Sequence, residues 1–375
     1  MLFKEIIGQQ KVKEKLIQTV KDNRISHAQL FLGPEGSGNL ALAIAYSQFI
    51  ACNNKQENDS CGICPSCLKF AKLVHPDLHF VFPVATSKTI KKDPVSDDYI
   101  AQWRETIIEN PYIGQTRWYD IIDVENKQGL ISKSESNAII RKLSLKTFEA
   151  DYKTLIMWLP EKMNASAANT LLKMIEEPPT KTLFILVSEN TEQIISTILS
   201  RTQLIKIPQI DAVSLHAAIC DRFGLPANKA SDIVHLANGN YLNALNLIDT
   251  TDENTENHDR FVELMRHCYQ NKVLEIVDWV ESVSTIGREK QKSFLEYSIR
   301  MIRENFMLNI NQKKIVYLTQ QEADFSNKFF PFINKDNVFK IYEHLNKACT
   351  DIEMNANGKI VFLDLGLKLV KLINK

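Results

Sequence analysis

Residues 30–41, Leu-Phe-Leu-Gly-Pro-Glu-Gly-Ser-Gly-Asn-Leu-Ala, have the outline of a phosphate-binding loop. An apolar strand leads into a turn that carries three glycines, Gly33, Gly36 and Gly38, and a helix is predicted to follow. Such a loop needs a lysine after its last glycine to reach the β/γ-phosphates, and then a hydroxyl residue for Mg²⁺. Asn39 and Leu40 occupy those two positions. The sequence therefore predicts the shape of a nucleotide-binding loop without its chemistry.

A second predicted strand, Thr154–Leu159, lacks the acidic residues that ATP hydrolysis requires. In nucleotide hydrolases one carboxylate at this strand end holds Mg²⁺ and the next activates water. Here the strand ends in Trp158-Leu159-Pro160, and only Glu161 follows. We therefore expect no intrinsic ATPase activity and no nucleotide cofactor, while nucleotide binding without hydrolysis stays open. The glycine spacing disfavours an α/β domain that never had a nucleotide site.

Composition sets broad limits on the class of protein. The chain has 375 residues, 45 basic and 45 acidic side chains, and a hydrophobic share of 44%. These values indicate one to three globular domains and argue against a protein that is basic all over. We find no apolar signal segment at the start and no uncharged run of membrane-spanning length, so a cytoplasmic protein is expected.

Four of the seven cysteines form the pattern C-x8-C-x2-C-x2-C at Cys52, Cys61, Cys64 and Cys67. Four thiolates on closely spaced turns suit tetrahedral Zn²⁺ and leave no open position for water. The pattern therefore predicts a structural zinc site, with an iron–sulfur cluster or free thiols as the alternatives. The other three cysteines are scattered, which favours buried apolar positions over disulfides.

The order of predicted elements changes near residue 208. Strands and helices alternate up to that point, and the apolar run Thr182–Ser188 is typical of a parallel sheet that is covered on both faces. Only helices are predicted beyond it, and the first helix of the chain is predicted over residues 4–24. The predicted domains are an α/β domain at 1–208, a small helical lid at 209–250 and an all-α domain at 258–375. The polar stretch 250–257 is interpreted as a linker between the last two.

The α/β domain is predicted to contain the cysteine module, 52–67, and an insertion, 85–130. The insertion has a predicted helix near 98–109 and four aromatic residues among charged ones: Trp103, Tyr112, Trp118 and Tyr119. Aromatic rings beside basic residues can stack on nucleic acid bases. The favoured interpretation is that these rings anchor the insertion on the core.

Arg201 lies between Ser200 and Thr202, after a short predicted helix and before a strand. An arginine at a domain edge can reach an ATP molecule on a neighbouring subunit, which raises the phosphoryl-transfer rate by about 10³–10⁵. On local sequence alone, a solvated surface arginine is the commoner case.

Taken together, these motifs resemble those of the delta-prime family of bacterial DNA polymerase III clamp-loader subunits, within the AAA+ superfamily. The resemblance covers roughly residues 1–208 outside the insertion and weakens afterwards. Its most specific part is Asn169–Pro179, close to N-x-L-L-K-x-x-E-E-P-P. The remaining matches are Ile7-Gly8-Gln9, Ser26-His27-Ala28, Leu30–Gly38, the four cysteines, His75-Pro76-Asp77, Ser200-Arg201-Thr202 with threonine in place of the family's cysteine, and Asn355-Ala356-Asn357.

The resemblance implies a hetero-pentameric ring that loads the sliding clamp onto primed DNA as part of a DNA polymerase holoenzyme. The partners would be gamma/tau motor subunits, the delta subunit, the clamp and DNA. This chain would be the stator, which does not hydrolyse ATP and offers Arg201 in trans as an arginine finger. Its C-terminal helices would join the collar of the ring. Asn243 occupies the place where motor subunits carry a nucleotide-sensing arginine.

Two other functions are compatible with part of the pattern. A gamma/tau-type motor shares the cysteines, the Asn169–Pro179 helix and the Ser-Arg pair, but needs lysine at 39, a hydroxyl at 40 and an acidic residue at 158. A zinc-stabilised nucleic-acid-binding module would have no effect on the ATPase of another protein.

Overall fold

A computed structural model describes residues 1–87, 90, 92–124, 129–190, 192–249, 251–312 and 315–374, with only the backbone described at 249 and 251–253. The chain forms two compact units. The first comprises Met1–Ala230 with Ala237–Ala244, and the second comprises Ser231–Leu236 with Leu245–Lys375. Among the described residues, no helix combines the length and apolar character needed to cross a membrane.

A parallel five-stranded sheet forms the centre of the first unit, in the order β2-β3-β4-β1-β5. Its strands are β1 (Ala28–Leu32), β2 (Leu78–Val81), β3 (Lys153–Trp158), β4 (Thr182–Ser188) and β5 (Gln203–Lys206). Every residue of β3 and β4 is buried, as expected for central strands with both faces covered. Because the strands are parallel, the segments that follow β1, β3 and β4 lie at one edge of the sheet, where α/β proteins place their sites.

Helices cover this sheet. The helices are α1 (Gln10–Lys21), α2 (Asn39–Ala51), α3 (Pro65–Ala71), α4 (Ile100–Glu109), α5 (Gln115–Ile121), α6 (Lys133–Leu143), α7 (Ala165–Glu176), α8 (Ser196–Leu199) and α9 (Ala212–Phe223). All residues of α2 are buried, which explains why its sequence is apolar on every side. Asn164 caps α7, as its position predicted, by accepting the Ala167 N–H at 2.8 Å. Two further helices, α10 (Ala227–Ala237) and α11 (Tyr241–Asp249), carry residues of both units.

The helix predicted over residues 4–24 is wrong in its first part. A short 3₁₀ turn at Phe3–Glu5 is followed by Gly8 and Gln9, both with positive φ, and α1 begins only at Gln10. A Cβ on Gly8 would lie 3.1 Å from Asp211 Oδ2, so glycine fits this turn. The Gln9 side chain donates to Ser37 O at 3.1 Å. The break therefore brings the start of the chain to the glycine loop.

The insertion is anchored through its aromatic rings, as the favoured interpretation proposed. Trp103 and Trp118 are fully buried, and Trp103 stacks on Phe82 with ring centroids 4.2 Å apart. The predicted helix near 98–109 is present as α4, whereas α5 was not predicted. Residues 88, 89, 91 and 125–128 of the insertion lie outside the described residues. Buried rings leave no face for a nucleic acid base, so the stacking interpretation fails for both tryptophans.

The second unit is helical. It contains α12 (Thr251–Tyr269), α13 (Val273–Ser284), α14 (Arg288–Asn309), α15 (Gln320–Phe329), α16 (Val338–Glu353) and α17 (Gly358–Ile373). Its core includes Phe294, Phe362 and Leu369, all buried. A buried polar cluster lies among these helices, in which Glu322 pairs with Arg300 and accepts the Tyr297 hydroxyl at 2.8 Å. The unit therefore has a core of its own.

The predicted linker at 250–257 is wrong. Residue 250 lies outside the described residues, and the backbone from Thr251 onward belongs to α12. Asn257 is buried and donates to Ser293 Oγ at 3.1 Å, while Glu256 pairs with Arg260 one turn later. Polar composition did not separate a linker from the first turns of a helix, because Asn257 is polar but buried and Glu256 is paired within the helix.

Candidate functional site

The glycine loop lies between β1 and α2, in the expected strand–loop–helix arrangement. Gly36 and Gly38 have φ of 72° and 86°, values that favour glycine. Both are buried, as are Ser37 and Asn39. A loop that receives phosphate presents its backbone N–H groups to the ligand. Here these loop residues themselves are withdrawn from solvent.

Asn39 and Leu40 complete the loop with bonds inside the chain. The Asn39 Nδ2 donates to Gly33 O at 3.1 Å, and its Oδ1 accepts the Leu40 N–H at 2.8 Å. Asn39 is 7% exposed and Leu40 is 2% exposed. Neither offers a cation or a hydroxyl to a triphosphate, so the polar groups of the loop serve its own backbone.

The side chains that cover the loop come from the insertion and from the start of α11. Tyr112 lies against Gly38, where an added Cβ would be 2.9 Å from the ring atom Cε1. Asn240 lies against Gly36 so closely that an added Cβ would overlap its Oδ1. The Tyr241 N–H donates to Gly36 O at 3.2 Å. Side chains of the protein therefore lie directly against two glycines of the loop.

Three carboxylates line the same edge of the sheet. Glu35 belongs to the loop, Glu161 follows β3 and Glu189 follows β4. The Glu161 Oε1 accepts the Glu189 N–H at 3.3 Å, and its buried Oε2 has no hydrogen-bond partner among the described residues. Burial, together with the charges of Glu35 and Glu161, raises the pKa of Glu189 to about 7. An edge lined by three carboxyl groups disfavours the binding of a triphosphate.

The end of β3 is apolar. Trp158 is 1% exposed and packs against Trp103 with ring centroids 5.3 Å apart. Leu159 is also buried and has a φ of 56°, an unusual value for leucine. The strand that would carry the metal-binding and water-activating carboxylates of a hydrolase is thus part of an aromatic core.

The four predicted cysteines come together in one cluster, at the start of α3 and the end of α2. Their Sγ atoms all lie within 4.8 Å of one another, and among the described residues they form the one such group of potential metal ligands. The Cys52–Cys61 and Cys61–Cys67 Sγ distances are 3.6 and 3.9 Å. Four sulfurs held about 2.3 Å from a tetrahedral Zn²⁺ would be about 3.8 Å apart. The donor set and its spacing fit a metal ion.

Backbone N–H groups point at these sulfur atoms. The N–H groups of Cys61 and Cys64 donate to Cys52 Sγ and Cys61 Sγ, both at 3.3 Å. Burial opposes ionisation of the Cys64 thiol, but hydrogen bonds from the backbone of Cys67 and Asn53 outweigh it and lower the pKa of Cys64 to about 6. Backbone hydrogen bonds also lower the pKa of Cys61. Burial instead raises the pKa of Cys52 and Cys67, so hydrogen bonding favours the metal-binding thiolate form at Cys61 and Cys64 only.

Arg201 lies after α8 on the surface, and 37% of its side chain is exposed. Its Nε pairs with Glu176, the last residue of α7, and its Nη1 donates to Thr197 O at 2.9 Å and Ser200 Oγ at 3.2 Å. Within the described part of the chain, Nη2 has no hydrogen-bond partner. The guanidinium is therefore held on one side and open on the other.

A family model described as "DNA polymerase III, delta subunit" matches residues 8–211. This range contains the covered loop, the cysteine cluster and Arg201. The chain belongs to this family. The fold class expected from the family, an α/β domain with a parallel sheet followed by helices, is confirmed.

Relatives of this polymerase III subunit family carry two kinds of name. The chain is 23% identical over 312 residues to "DNA polymerase III subunit delta'" of Bacillus subtilis (strain 168), covering 82% of this chain and 80% of that protein. It is 25% identical over 193 residues to "DNA polymerase III subunit delta'" of Escherichia coli (strain K12), covering 51% and 45%. It is also 25% identical over 252 residues to "DNA polymerase III subunit tau" of Bacillus subtilis (strain 168), covering 66% and 37%. Since the sequence identity to the delta' and tau relatives is similar, the site residues must distinguish a delta'-type subunit from a tau-type subunit.

Sequence reasoning missed the side chains that fill the loop of this family member. Tyr112 was interpreted only as an anchor of the insertion, and Asn240, Tyr241 and Glu189 were given no role near the loop. Tyr112 is separated from Gly38 by more than seventy residues along the chain, and no periodic pattern reports such a contact. The one feature of the sequence that could have indicated this contact was the presence of an insertion rich in aromatic residues in a chain whose glycine loop lacks its lysine.

Proposed function

We propose that this chain is the non-hydrolysing, delta-prime-type subunit of a DNA polymerase III clamp loader, and that it supplies Arg201 in trans to ATP on a neighbouring motor subunit. The observation that carries the proposal is a phosphate-binding loop that lacks its lysine and hydroxyl and is covered by Tyr112 and Asn240. The match to the DNA polymerase III subunit family supports a role in DNA replication.

Three features support the absence of hydrolysis. Asn39 bonds to its own loop, the end of β3 presents Trp158 instead of a carboxylate, and the carboxyl groups of Glu161 and Glu189 lie where a triphosphate would need cations. Metal-assisted phosphoryl transfer needs the lysine, the hydroxyl and the carboxylate together. A tau-type motor is disfavoured because this chain replaces all three groups.

The exposed guanidinium of Arg201 supports the role in trans. Its Nε and Nη1 are held by Glu176 and by the end of α8, which fixes the direction of the side chain, and Nη2 stays available. An arginine that is already oriented loses little entropy when it meets a phosphate. This geometry supports the proposed action of Arg201 outside its own subunit.

The partners and the metal complete the proposal. We propose a hetero-pentameric ring with gamma/tau motors and delta, acting in the cytoplasm on the sliding clamp and primed DNA. Residues 1–208 would be the AAA+ domain, 209–250 its lid and 258–375 the collar domain. The cysteine cluster would hold a structural Zn²⁺ through Cys52, Cys61, Cys64 and Cys67. The metal would stabilise the folded conformation of the loop between α2 and α3.

Reconstitution with motor subunits, delta, clamp and primed DNA tests the finger. We expect Arg201→Ala to lower clamp-loading rate and ATPase of the complex at least tenfold, since a trans arginine contributes about 10³–10⁵ at its own ATP. Arg201→Lys should restore little, because lysine lacks the planar fork. Arg141→Ala, at another exposed arginine, is the matched control.

Two outcomes would contradict the proposal. Unchanged clamp loading and ATPase with Arg201→Ala would exclude the arginine finger. Steady ATP turnover by the purified chain alone would favour the motor-type alternative.

A further inference from the structure

Tyr112 is held at the glycine loop by both its hydroxyl and its ring. The hydroxyl accepts the Ile7 N–H at 2.9 Å, and the ring lies on Gly38, where only glycine leaves room for it. The residue is 5% exposed, and burial raises the pKa of its hydroxyl. The Asn110 Oδ1 accepts the Tyr112 N–H at 3.1 Å and fixes the turn that presents the ring. The insertion thus delivers one ordered aromatic side chain to the loop.

A second aromatic residue continues the contact toward the helices that follow the sheet. The ring of Tyr241, at the start of α11, meets the ring of Tyr112 edge to face, with centroids 4.8 Å apart. The Tyr241 hydroxyl accepts Arg222 Nη1 of α9 at 2.9 Å, and its N–H donates to Gly36 O. Through this one residue, the loop, α9 and α11 are joined within the first unit.

Two polar side chains hold the loop from its other sides. Asn240 lies on Gly36, and its Oδ1 accepts the Asn243 N–H at 3.1 Å, which caps the first turn of α11. Glu35 lies against Gly114, the residue before α5, so closely that a Cβ there would overlap its Oε1. The loop is therefore in contact with the residue before α5 and with the start of α11, and it reaches α9 only through Tyr241.

We propose that Tyr112, Tyr241, Arg222 and Asn240 form an internal clasp that fixes the glycine loop to α9 and α11 and makes their arrangement independent of nucleotide. A ligand can shift a conformational equilibrium only by contacts that differ between the two states. Because the chain itself connects the loop to the helices, ATP and ADP would make no contacts that differ between the two states, and they could not shift the equilibrium. The inference concerns the first unit alone and does not depend on the role of Arg201.

A cavity of about 300 Å³ remains beside the clasp, and its walls include Ile6, Ile7, Ala41, Ile108 and Ala218. The walls are mostly apolar, and the one arginine that reaches them, Arg222, is bonded to Tyr241. The cations at these walls, the Arg222 guanidinium and the Met1 ammonium, are both already hydrogen-bonded within the chain, Met1 to Gln48 Oε1 at 2.7 Å. A nucleotide that nevertheless entered it and ordered the loop would contradict the clasp.

Hydrogen exchange on the full-length chain tests the first part of the inference. With ATP or ADP and Mg²⁺ at millimolar concentration, we expect no change in amide exchange over the loop (33–38), α9 or residues 237–244. Protection of these segments by either nucleotide would overturn the proposal, because the clasp would then not have replaced the ligand.

Substitution of Tyr112 tests the second part. Tyr112→Phe keeps the ring and removes the bond to Ile7, so exchange in the loop, α9 and α11 should rise roughly fivefold, the worth of one hydrogen bond. Tyr112→Ala also removes the ring and should raise exchange at least about tenfold. Tyr119→Phe removes a comparable bond, from the Tyr119 hydroxyl to Gly129 O at 3.3 Å, and should leave these segments unchanged.

The outcomes are decisive even if Tyr112→Ala folds poorly, because Tyr112→Phe is conservative. Equal exchange in α9 and α11 for wild type, Tyr112→Phe and Tyr119→Phe would overturn the clasp. A rise with Tyr112→Phe that is confined to residue 7 would also overturn it, since the bond would then be local.

Discussion

The carboxyl group of Glu189 shows how the covered loop changes the chemistry of a single residue. Burial first, and then the charges of Glu35 and Glu161, raise its pKa from 4.5 to about 7. The folded protein therefore binds this proton more tightly than the unfolded chain does. Its stabilising effect is complete below about pH 4.5 and is lost as the pH rises through 7.

Glu189→Gln should remove this pH dependence. Between pH 5 and pH 8 the free energy of unfolding of the variant should rise by about 1–3 kcal/mol relative to wild type, because the amide cannot ionise. Denaturant titrations at the two pH values measure the difference. Glu192→Gln, at an exposed position, is the control, and a parallel loss of stability with pH in Glu189→Gln would exclude this origin.

At the scale of secondary-structure elements, the sequence predicted the strands and the central helices well. β1, β4 and α7 appear where apolar runs and caps placed them, because burial and capping are local signals. The break at Gly8 and the helix at 251–257 were missed, since both depend on partners distant in sequence: Asp211 for Gly8, and Ser293 for Asn257. Tyr112 at the loop is the same kind of long-range contact.

The candidate site was predictable to a similar extent. The cysteine spacing predicted a cluster that the structure brings together, and the missing lysine was visible at Asn39. The covering of the loop was not predictable, because it requires the insertion, α9 and α11 to meet at one place. Local patterns carry no information on where a distant ring will pack.

The segment between α2 and α3 should depend on its metal. Purified wild-type chain should contain about one zinc ion, and Cys64→Ser should lose it, since three thiolates cannot complete the tetrahedral shell. Elemental analysis and exchange over residues 52–67 measure the two effects. Cys220→Ser, outside the cluster, should keep the metal, and equal metal content in both variants would exclude the site.

The whole chain consists of two units, each with a core of its own. A domain with a separate core can unfold as a separate cooperative step. The sheet and the clasp belong to the first unit, whereas the polar cluster around Glu322 belongs to the second. Changes confined to one core should therefore leave the melting of the other in place.

Calorimetry of the full-length chain should show two transitions that respond to different substitutions. Cys64→Ser should lower one of them. Phe362→Ala, in the core of the helical unit, should lower the other by about 10 °C, because it leaves a cavity worth about 3–5 kcal/mol. Phe339→Ala, at a side chain that is 75% exposed, should shift neither transition. A single transition that moves with both variants would contradict separate unfolding.

The aromatic core at the end of β3 would make ATP hydrolysis difficult to gain by single mutations. Asn39→Lys and Leu40→Thr would supply two catalytic groups, but Tyr112 and Asn240 would still lie against Gly38 and Gly36 of the loop. Trp158→Asp would bury a carboxylate beside Trp103 and destabilise the fold before any activity appeared. Two of these substitutions bring no activity alone and the third is harmful, so a gain of ATP hydrolysis would depend on the order in which mutations occur.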